Sequence, residues 1–343
     1  MTNSTVRYFY VNQAGKFSLV SSLQDVIKAA EDSGYFWIDY CEPSSQDLGQ
    51  LIPALGIHPL SIEDCINDDQ LPKLDLFPNY SFMIFNIFES TPDELLTHEL
   101  DLFIGRNFLI SVTGRDVKQT HLLESINQSI EREQESLKNG PAYLLHLIVD
   151  RVVDHKFEAV ENIEEGLDHY EIIILGQEED FNPGKLMDSR RDLQTIRKSL
   201  FHERELVSKI IRQDSPFIPE RSIVYFRDIY DHLSTYYEMS DSARDLVTSL
   251  MEIHLSTINN HMARISNRTN ATMRRLTLIT TIFMPLSLIS GIGGMSEFTV
   301  LTGGEKNAKI AYLALIVVMA IIAFLNWHYL RRMEKGLKEG GED

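Results

Sequence analysis

Residues 274–296 read RRLTLITTIFMPLSLISGIGGMS, and past the two arginines the run 276–296 holds no Asp, Glu, Lys or Arg. As a helix, its 21 residues rise roughly 31 Å, about one hydrocarbon thickness. A second uncharged run of the same length, IAYLALIVVMAIIAFLNWHYL, occupies 310–330. It carries Trp327 and Tyr329 near its end, where aromatic rings suit a lipid–water interface. Two such runs at one end of a chain rarely occur in soluble domains, so a two-span hairpin is preferred over a pair of buried core helices. Arg274 and Arg275 precede the first span and Arg331 and Arg332 follow the second. By the positive-inside rule both termini are cytoplasmic, and the loop at 297–309 faces out despite Lys306 and Lys309.

The first span is not uniformly apolar. No proline interrupts 220–284, so one helix of roughly 95 Å could run from the preceding region into the membrane. Reading every third or fourth residue along it gives Glu252, Ser256, Asn259, Ala263, Ser266, Asn270, Met273, Thr277, Thr280, Met284, Ser287, Gly291 and Gly294. This heptad stripe is small or polar where a coiled-coil seam would place Leu, Ile or Val. Its neighbours Leu278, Ile279, Ile282, Phe283, Leu286, Ile289 and Ile292 suit lipid. One helix cannot hide a polar stripe in a bilayer, whereas several copies can turn their stripes to a shared axis. Small residues also permit close helix packing, but hydroxyls repeated through the membrane depth favour a water-lined pore. Met273 and Met284 would then form apolar rings able to gate by excluding water. Pro285 frees a backbone carbonyl, which is tolerated where helices pack or water reaches.

The 343 residues carry 32 Lys+Arg and 50 Asp+Glu, a net charge of −18. From Arg274 onward eight basic and six acidic residues give +2, so residues 1–273 carry 24 − 44 = −20. That balance argues against a nucleic-acid partner. Cys41 and Cys65 are too few for a disulfide scaffold and lack zinc-site spacing. Phosphate-loop, HExxH, GxSxG and GxGxxG motifs are absent, so the chain is read as no enzyme.

Upstream of the spans the sequence has two sections. Residues 1–115 show short β-like runs at Arg7–Val11, Tyr35–Asp39, Ser81–Phe88, Leu100–Ile104 and Phe108–Val112, with helical stretches at Ser22–Glu31 and Ser61–Ile66. From 116 to 273 helical stretches follow at 117–138, 141–175, 185–213 and from 220 onward, with Pro141, Pro183, Pro216 and Pro219 at the breaks. The stretch 158–180 is strongly acidic, and the next carries Arg190, Arg191, Arg197, Lys198, Arg204 and Lys209. An antiparallel hairpin with opposed charges is the expected pairing, and solvation is preferred over cation gathering for the acidic face. The predicted class is α+β, with an α/β domain (1–115), long helices (116–273), a pore-lining span (274–296), an external loop (297–309), a second span (310–330) and a tail (331–343).

These residues resemble the CorA family of magnesium transporters. Residues 274–296 look like the end of that family's pore helix. Trp37-Ile38-Asp39 matches its early strand motif. His58-Pro59-Leu60, Glu63-Asp64 and Gln70-Leu71-Pro72-Lys73 match its HPL…ED…Q-x-PK signature, with Leu71 where the family usually has Arg. Tyr225-Phe226-Arg227-Asp228-Ile229-Tyr230-Asp231 matches its YFRDVYD helix motif.

The resemblance implies a homopentameric channel in the inner (plasma) membrane, with a cytoplasmic funnel of long helices. Divalent cations would bind between protomers, with Asp64 facing Asp228 and Glu63 adjacent, and occupied sites would hold the pore closed. Mg²⁺ prefers oxygen ligands and keeps most of its water, which suits such a bridge. The family's Gly-Met-Asn is Gly294-Met295-Ser296 here, and Gly293 stands where a tyrosine usually precedes. Glu297 and Glu305 in the outer loop suit cation capture, opposed by Lys306 and Lys309. Mg²⁺ is the expected cargo and regulator, with Zn²⁺, Co²⁺ or Ni²⁺ as alternatives. The ZntB branch, which moves Zn²⁺, also departs at this triplet, so a Zn²⁺ transporter coupled to protons is the second reading. A non-conducting, membrane-anchored cation sensor is the third.

Overall fold

Aromatic and β-branched residues alternate through the first third of the chain, and there the backbone pairs into one seven-stranded sheet. The computed structural model describes residues 5–67, 70–91, 95–114, 126, 130, 134–176, 181–301 and 304–339. The strands are β1 (Thr5–Val11), β2 (Phe17–Val20), β3 (Tyr35–Cys41), β4 (Leu74–Leu76), β5 (Tyr80–Ser90), β6 (Leu95–Gly105) and β7 (Phe108–Thr113). Their spatial order is β2-β1-β3-β7-β6-β5-β4. Among the described residues only β3 and β7 pair in parallel, with Ile38 opposite Ile110. All five expected strands are present. The short edge strands β2 and β4 had too little alternation to be read from sequence.

Helices α1 (Leu23–Asp32), α2 (Ser45–Gly49), α3 (Leu51–Leu55) and α4 (Pro59–Asp64) fall between the strands. Ser22 caps α1, its side chain accepting from the Asp25 backbone N–H. The later helices are α5 (Gln134–Leu137), α6 (Pro141–Gly176), α7 (Gly184–Ile211), α8 (Ile223–Gly293), α9 (Ser296–Leu301) and α10 (Glu305–Glu339). Most of the helical stretch expected at 117–138 lies outside the described residues.

Period-two alternation splits the sheet into two cores. Phe36, Ile38, Phe82, Ile84, Phe103 and Ile110 join one cluster with residues of α1 to α4. Trp37, Met83, Phe85, Leu102 and Leu109 join another with α6, α7 and the start of α8. Sheet and long helices thus share a core, and Met1–His254 forms one compact unit. The change of secondary structure near residue 115 is not a break in packing.

Trp37 and Asp39 point to the same face of β3, as Ser111 does on β7 opposite. Trp37 Nε1 donates to Ser111 Oγ at 2.9 Å, and Ser111 Oγ donates to Asp39 Oδ1 at 2.6 Å. Burial pushes the Asp39 carboxyl up to about 6, against the opposing pull of Ser111 and Arg7.

A second polar group is buried between sheet and helices. Lys156 of α6 and Glu203 of α7 are fully buried and 3.0 Å apart. Lys156 Nζ also donates to the Asn86 carbonyl and lies 4.8 Å from the Phe88 ring centroid. Glu203 Oε1 accepts from the Asn86 backbone N–H at 2.9 Å and from Ser199 Oγ at 3.2 Å. Burial pushes the Lys156 ammonium down, against the pull of Glu203. Among the described residues this pair, and not one between the acidic face of α6 and the basic face of α7, is the ion pair joining those helices.

The second unit, Leu255–Asp343, holds the rest of α8 with α9 and α10. Among the described residues two helices are long and apolar enough to cross a membrane, the apolar stretches lying at the end of α8 and in Lys309–Tyr329 of α10. Much of the expected 297–309 loop is helical, because α9 reaches Leu301 and α10 begins at Glu305.

A carboxyl raised from about 4 in the unfolded chain to about 6 in the folded one opposes folding once ionised. Its neutral form leaves stability intact below pH 4. The loss accumulates as pH rises from about 4 to about 6 and reaches about 3 kcal/mol. Asp39→Asn keeps an acceptor for Ser111 and should raise the thermal midpoint at pH 8 while leaving it unchanged at pH 4. Thermal melts at the two pH values check this. Lys156→Met should lower stability by about 3–5 kcal/mol, because Glu203 is left buried and unpaired. Adding Glu203→Leu should recover most of that loss, as read by the urea midpoint.

Candidate functional site

Helix α8 carries both regions that concern cations. At its start, Phe226 and Ile229 are buried in the core beneath the sheet. Tyr225 stacks on His146 at 4.9 Å between ring centroids. The apolar half of the YFRDIYD run is therefore packing, and its acidic half faces outward. Asp228 and His232, one helical turn apart, share that outer face. Asp150 of α6 meets them, and one ligand atom from each of the three lies within 4.8 Å of the others.

Two carboxylates and an imidazole form a donor set suited to a divalent cation. His232 Nδ1 is buried without a hydrogen-bond partner among the described residues. The surroundings are electronegative. Burial first, then the charges of Asp154, Asp150 and Asp228, push the Tyr236 hydroxyl up.

The ED motif behaves differently. His58 caps α4, its Nδ1 accepting from the Leu60 backbone N–H at 3.2 Å, with Pro59 at the first helical position. Tyr80 OH accepts from the His58 backbone N–H at 3.0 Å and lies 2.9 Å from Ser61 Oγ. Asp64 ends α4, and Lys73 Nζ reaches it at 2.8 Å and Asp75 at 3.2 Å. Burial disfavours the Lys73 charge, but these two carboxylates outweigh it and the pKa is raised. Glu63 is exposed. Within the chain Asp64 belongs with Lys73, and Asp228 with Asp150 and His232.

Asp150 and His232 escaped sequence reasoning. The signal for His232 was its i,i+4 spacing from Asp228.

In the second unit, Asn270, Met273, Thr277, Thr280, Met284, Ser287 and Gly291 are all exposed. Thr277 Oγ1 donates to the Met273 carbonyl at 2.9 Å, and Thr280 Oγ1 to the Leu276 carbonyl at 3.0 Å. These bonds satisfy the hydroxyl protons on the helix itself and leave the oxygen lone pairs facing outward. Leu278, Ile282, Leu286 and Ile289 lie on another face and are half-buried. Gly293 continues that face and is buried against α10, where an added Cβ would stand 2.4 Å from Leu315 Cδ2. A side chain at 293 would require the Leu315 side chain to shift. Gly294 and Met295 are exposed, and the side chains of Ser296, Glu297 and Glu305 lie outside the described residues.

Residues 32–332 match the family described as CorA-like Mg²⁺ transporter protein. The chain is 31% identical over 299 residues to the putative metal ion transporter YfjQ of Bacillus subtilis (strain 168), covering 86% of this chain and 89% of that protein. It is 29% identical over 317 residues to the cobalt/magnesium transport protein CorA of Thermotoga maritima, covering 91% and 86%. The complete structure of the CorA magnesium transporter from Methanocaldococcus jannaschii superposes with a TM-score of 0.70 at 22% identity, covering 97% of this chain and 99% of that one.

Imidazole suits Co²⁺ and Ni²⁺ better than Mg²⁺. His232→Ala should therefore weaken Co²⁺ binding roughly tenfold and Mg²⁺ binding less, whereas Asp228→Ala should weaken both. Isothermal titration of the detergent-solubilised protein with each metal checks the order.

Proposed function

The chain belongs to the family of CorA-like Mg²⁺ transporter proteins, and on that footing we propose that it is a membrane channel for divalent cations, with Mg²⁺ as its main cargo. The observation that carries this reading is the polar stripe of α8, exposed along an apolar helix while a different face is buried against α10. Hydrocarbon would penalise those hydroxyls and amides, whereas a shared aqueous axis built from several copies would solvate them. A homopentamer is the assembly adopted here. Asn270, Thr277, Thr280 and Ser287 line the path, and Met273 and Met284 form its apolar constrictions.

Both termini lie in the cytoplasm of a plasma-membrane protein, with 1–273 inside and the spans at 274–296 and 310–330. The charge of −20 on residues 1–273 raises the local cation concentration near the inner mouth. Gly294, Met295 and Ser296 stand at the outer mouth with Glu297 and Glu305 nearby. A serine ring offers hydroxyls to the water shell of the ion in place of longer amides, and selectivity shifts accordingly. The regulatory cation is held by Asp228 with Asp150 and His232, and by Glu63 and Asp64 across the protomer seam. Its loss leaves like charges facing one another, which favours separation and opening.

The imidazole in that group supports Co²⁺, Ni²⁺ or Zn²⁺ as regulators beside Mg²⁺.

Flux into liposomes containing the purified protein tests the proposal. Mg²⁺ entry should rise with an inside-negative potential. Thr280→Leu together with Ser287→Leu should cut it at least tenfold by drying the path. Ser296→Asn should change the order of preference among Mg²⁺, Co²⁺, Ni²⁺ and Zn²⁺. Absence of flux for all four ions overturns the channel. Zn²⁺ uptake that follows an imposed pH gradient, without Mg²⁺ uptake, replaces it with a ZntB-type transporter. Asp64→Ala and Asp228→Ala should each weaken protection of the cytoplasmic region from proteolysis by Mg²⁺.

A further inference from the structure

Helix α7 is basic in an acidic region. It holds Lys185, Arg190, Arg191, Arg197, Lys198, Arg204 and Lys209 against Asp188, Asp192, Glu203 and Glu205, while residues 1–273 together carry −20. Among the described residues its cations do not pair with the acidic face of α6. Arg197 reaches across to Asp241 of α8 at 3.0 Å, and Arg191 stays on its own helix with Asp188 at 3.4 Å. Among the described residues, Lys198 and Arg204 have no carboxylate partner within ion-pair distance.

Between α7 and α8 lies a cavity of about 610 Å³, lined by Arg191, Thr195, Arg197, Lys198, Phe201 and Tyr237 among others. No carboxylate lines it. The Arg197 and Arg204 guanidinium carbons lie 5.1 and 4.8 Å from the Tyr237 ring centroid, so two cations hold that ring in place. Arg204 also lies 6.0 Å from the Phe201 centroid, and Phe201 remains 40% exposed, an aromatic surface open to the cavity.

We propose that this cavity binds a nucleoside di- or triphosphate. The phosphates meet Lys198 and Arg191, and the base lies on Phe201. Each feature answers to one part of that ligand. Arginine forks and a lysine ammonium match phosphate oxygens. An exposed ring flanked by a guanidinium favours a flat heterocycle. Thr195, whose hydroxyl donates to the Arg191 carbonyl at 3.2 Å, leaves oxygen lone pairs for a ribose hydroxyl. The volume falls within the range of small-molecule sites. Inorganic phosphate or pyrophosphate shares the anionic chemistry but leaves Phe201 unused.

The test is binding, independent of transport. Full-length protein in detergent, with chelator present to remove divalent cations, is titrated with a fluorescent ATP analogue, and ATP, ADP, pyrophosphate and adenosine compete. ATP should displace the analogue saturably at one site per chain. Pyrophosphate should compete at least tenfold more weakly, and adenosine not at all. Lys198→Ala and Phe201→Ala should each weaken ATP roughly tenfold, Phe201→Leu should do the same with the apolar bulk retained, and Lys209→Ala should change nothing. Lys198 is exposed, so its replacement leaves the fold intact. Failure of ATP to displace the analogue, or displacement untouched by the Lys198 and Phe201 changes, overturns the site. Equal competition by ATP and pyrophosphate overturns the nucleoside assignment.

Discussion

A chain that enters hydrocarbon must bring its own backbone hydrogen bonds, because lipid offers none. This protein meets that demand with one uninterrupted helix, α8, from Ile223 to Gly293. Its first turns bury Phe226, Ile229 and Leu233 against the helices over the sheet, and its last turns are exposed and apolar. The helix serves both surroundings because its internal bonding does not depend on what surrounds it. Pro285 is the exception, since it donates nothing to the carbonyl of Thr281. Pro285 is half-buried, on the face that carries Leu278, Ile282, Leu286 and Ile289 and not on the exposed stripe.

Charge is handled by the same logic of solvation. Most acids of the first unit face solvent, and two of the polar groups inside are held by several partners. Lys156 and Glu203 are buried together with Asn86 and Ser199, and Asp39 with Ser111 and Trp37. Such networks cost desolvation and contribute little net stability, but they specify how the helices sit on the sheet, since any shift would strand a charge. An exposed region of α7 where cations dominate lies beside Tyr237 of α8, and there aromatic rings accompany them.

The family motifs illustrate how far residue patterns reach. His58, Pro59 and Asp64 stand together in sequence because they cap, begin and end one short helix. Trp37 and Asp39 stand two apart on one strand face, where both meet Ser111. The YFRDIYD run alternates between core and surface, so its acids could be marked as outward-facing. Their partners could not be named, since Asp150 lies on another helix, 78 residues before Asp228. Likewise α7 was legible as a basic helix, but its expected pairing with the acidic face of α6 does not occur among the described residues. Charge complementarity along a sequence carries no information about which faces turn toward each other.

The sequence by itself determined the class of the protein. Two uncharged runs of spanning length, a polar heptad stripe in the first, and alternating aromatic strands upstream are local, periodic signals, and periodicity is a property of the chain alone. Contacts between distant segments were decided only by the tertiary structure. It joined sheet and long helices in one core across residue 115, buried Lys156 with Glu203, and brought His232 and Asp150 to Asp228. It also left the polar stripe uncovered while Gly293 closed against Leu315. These are long-range juxtapositions, set by how side-chain volumes and unpaired polar groups are reconciled across the fold, and no local pattern records them.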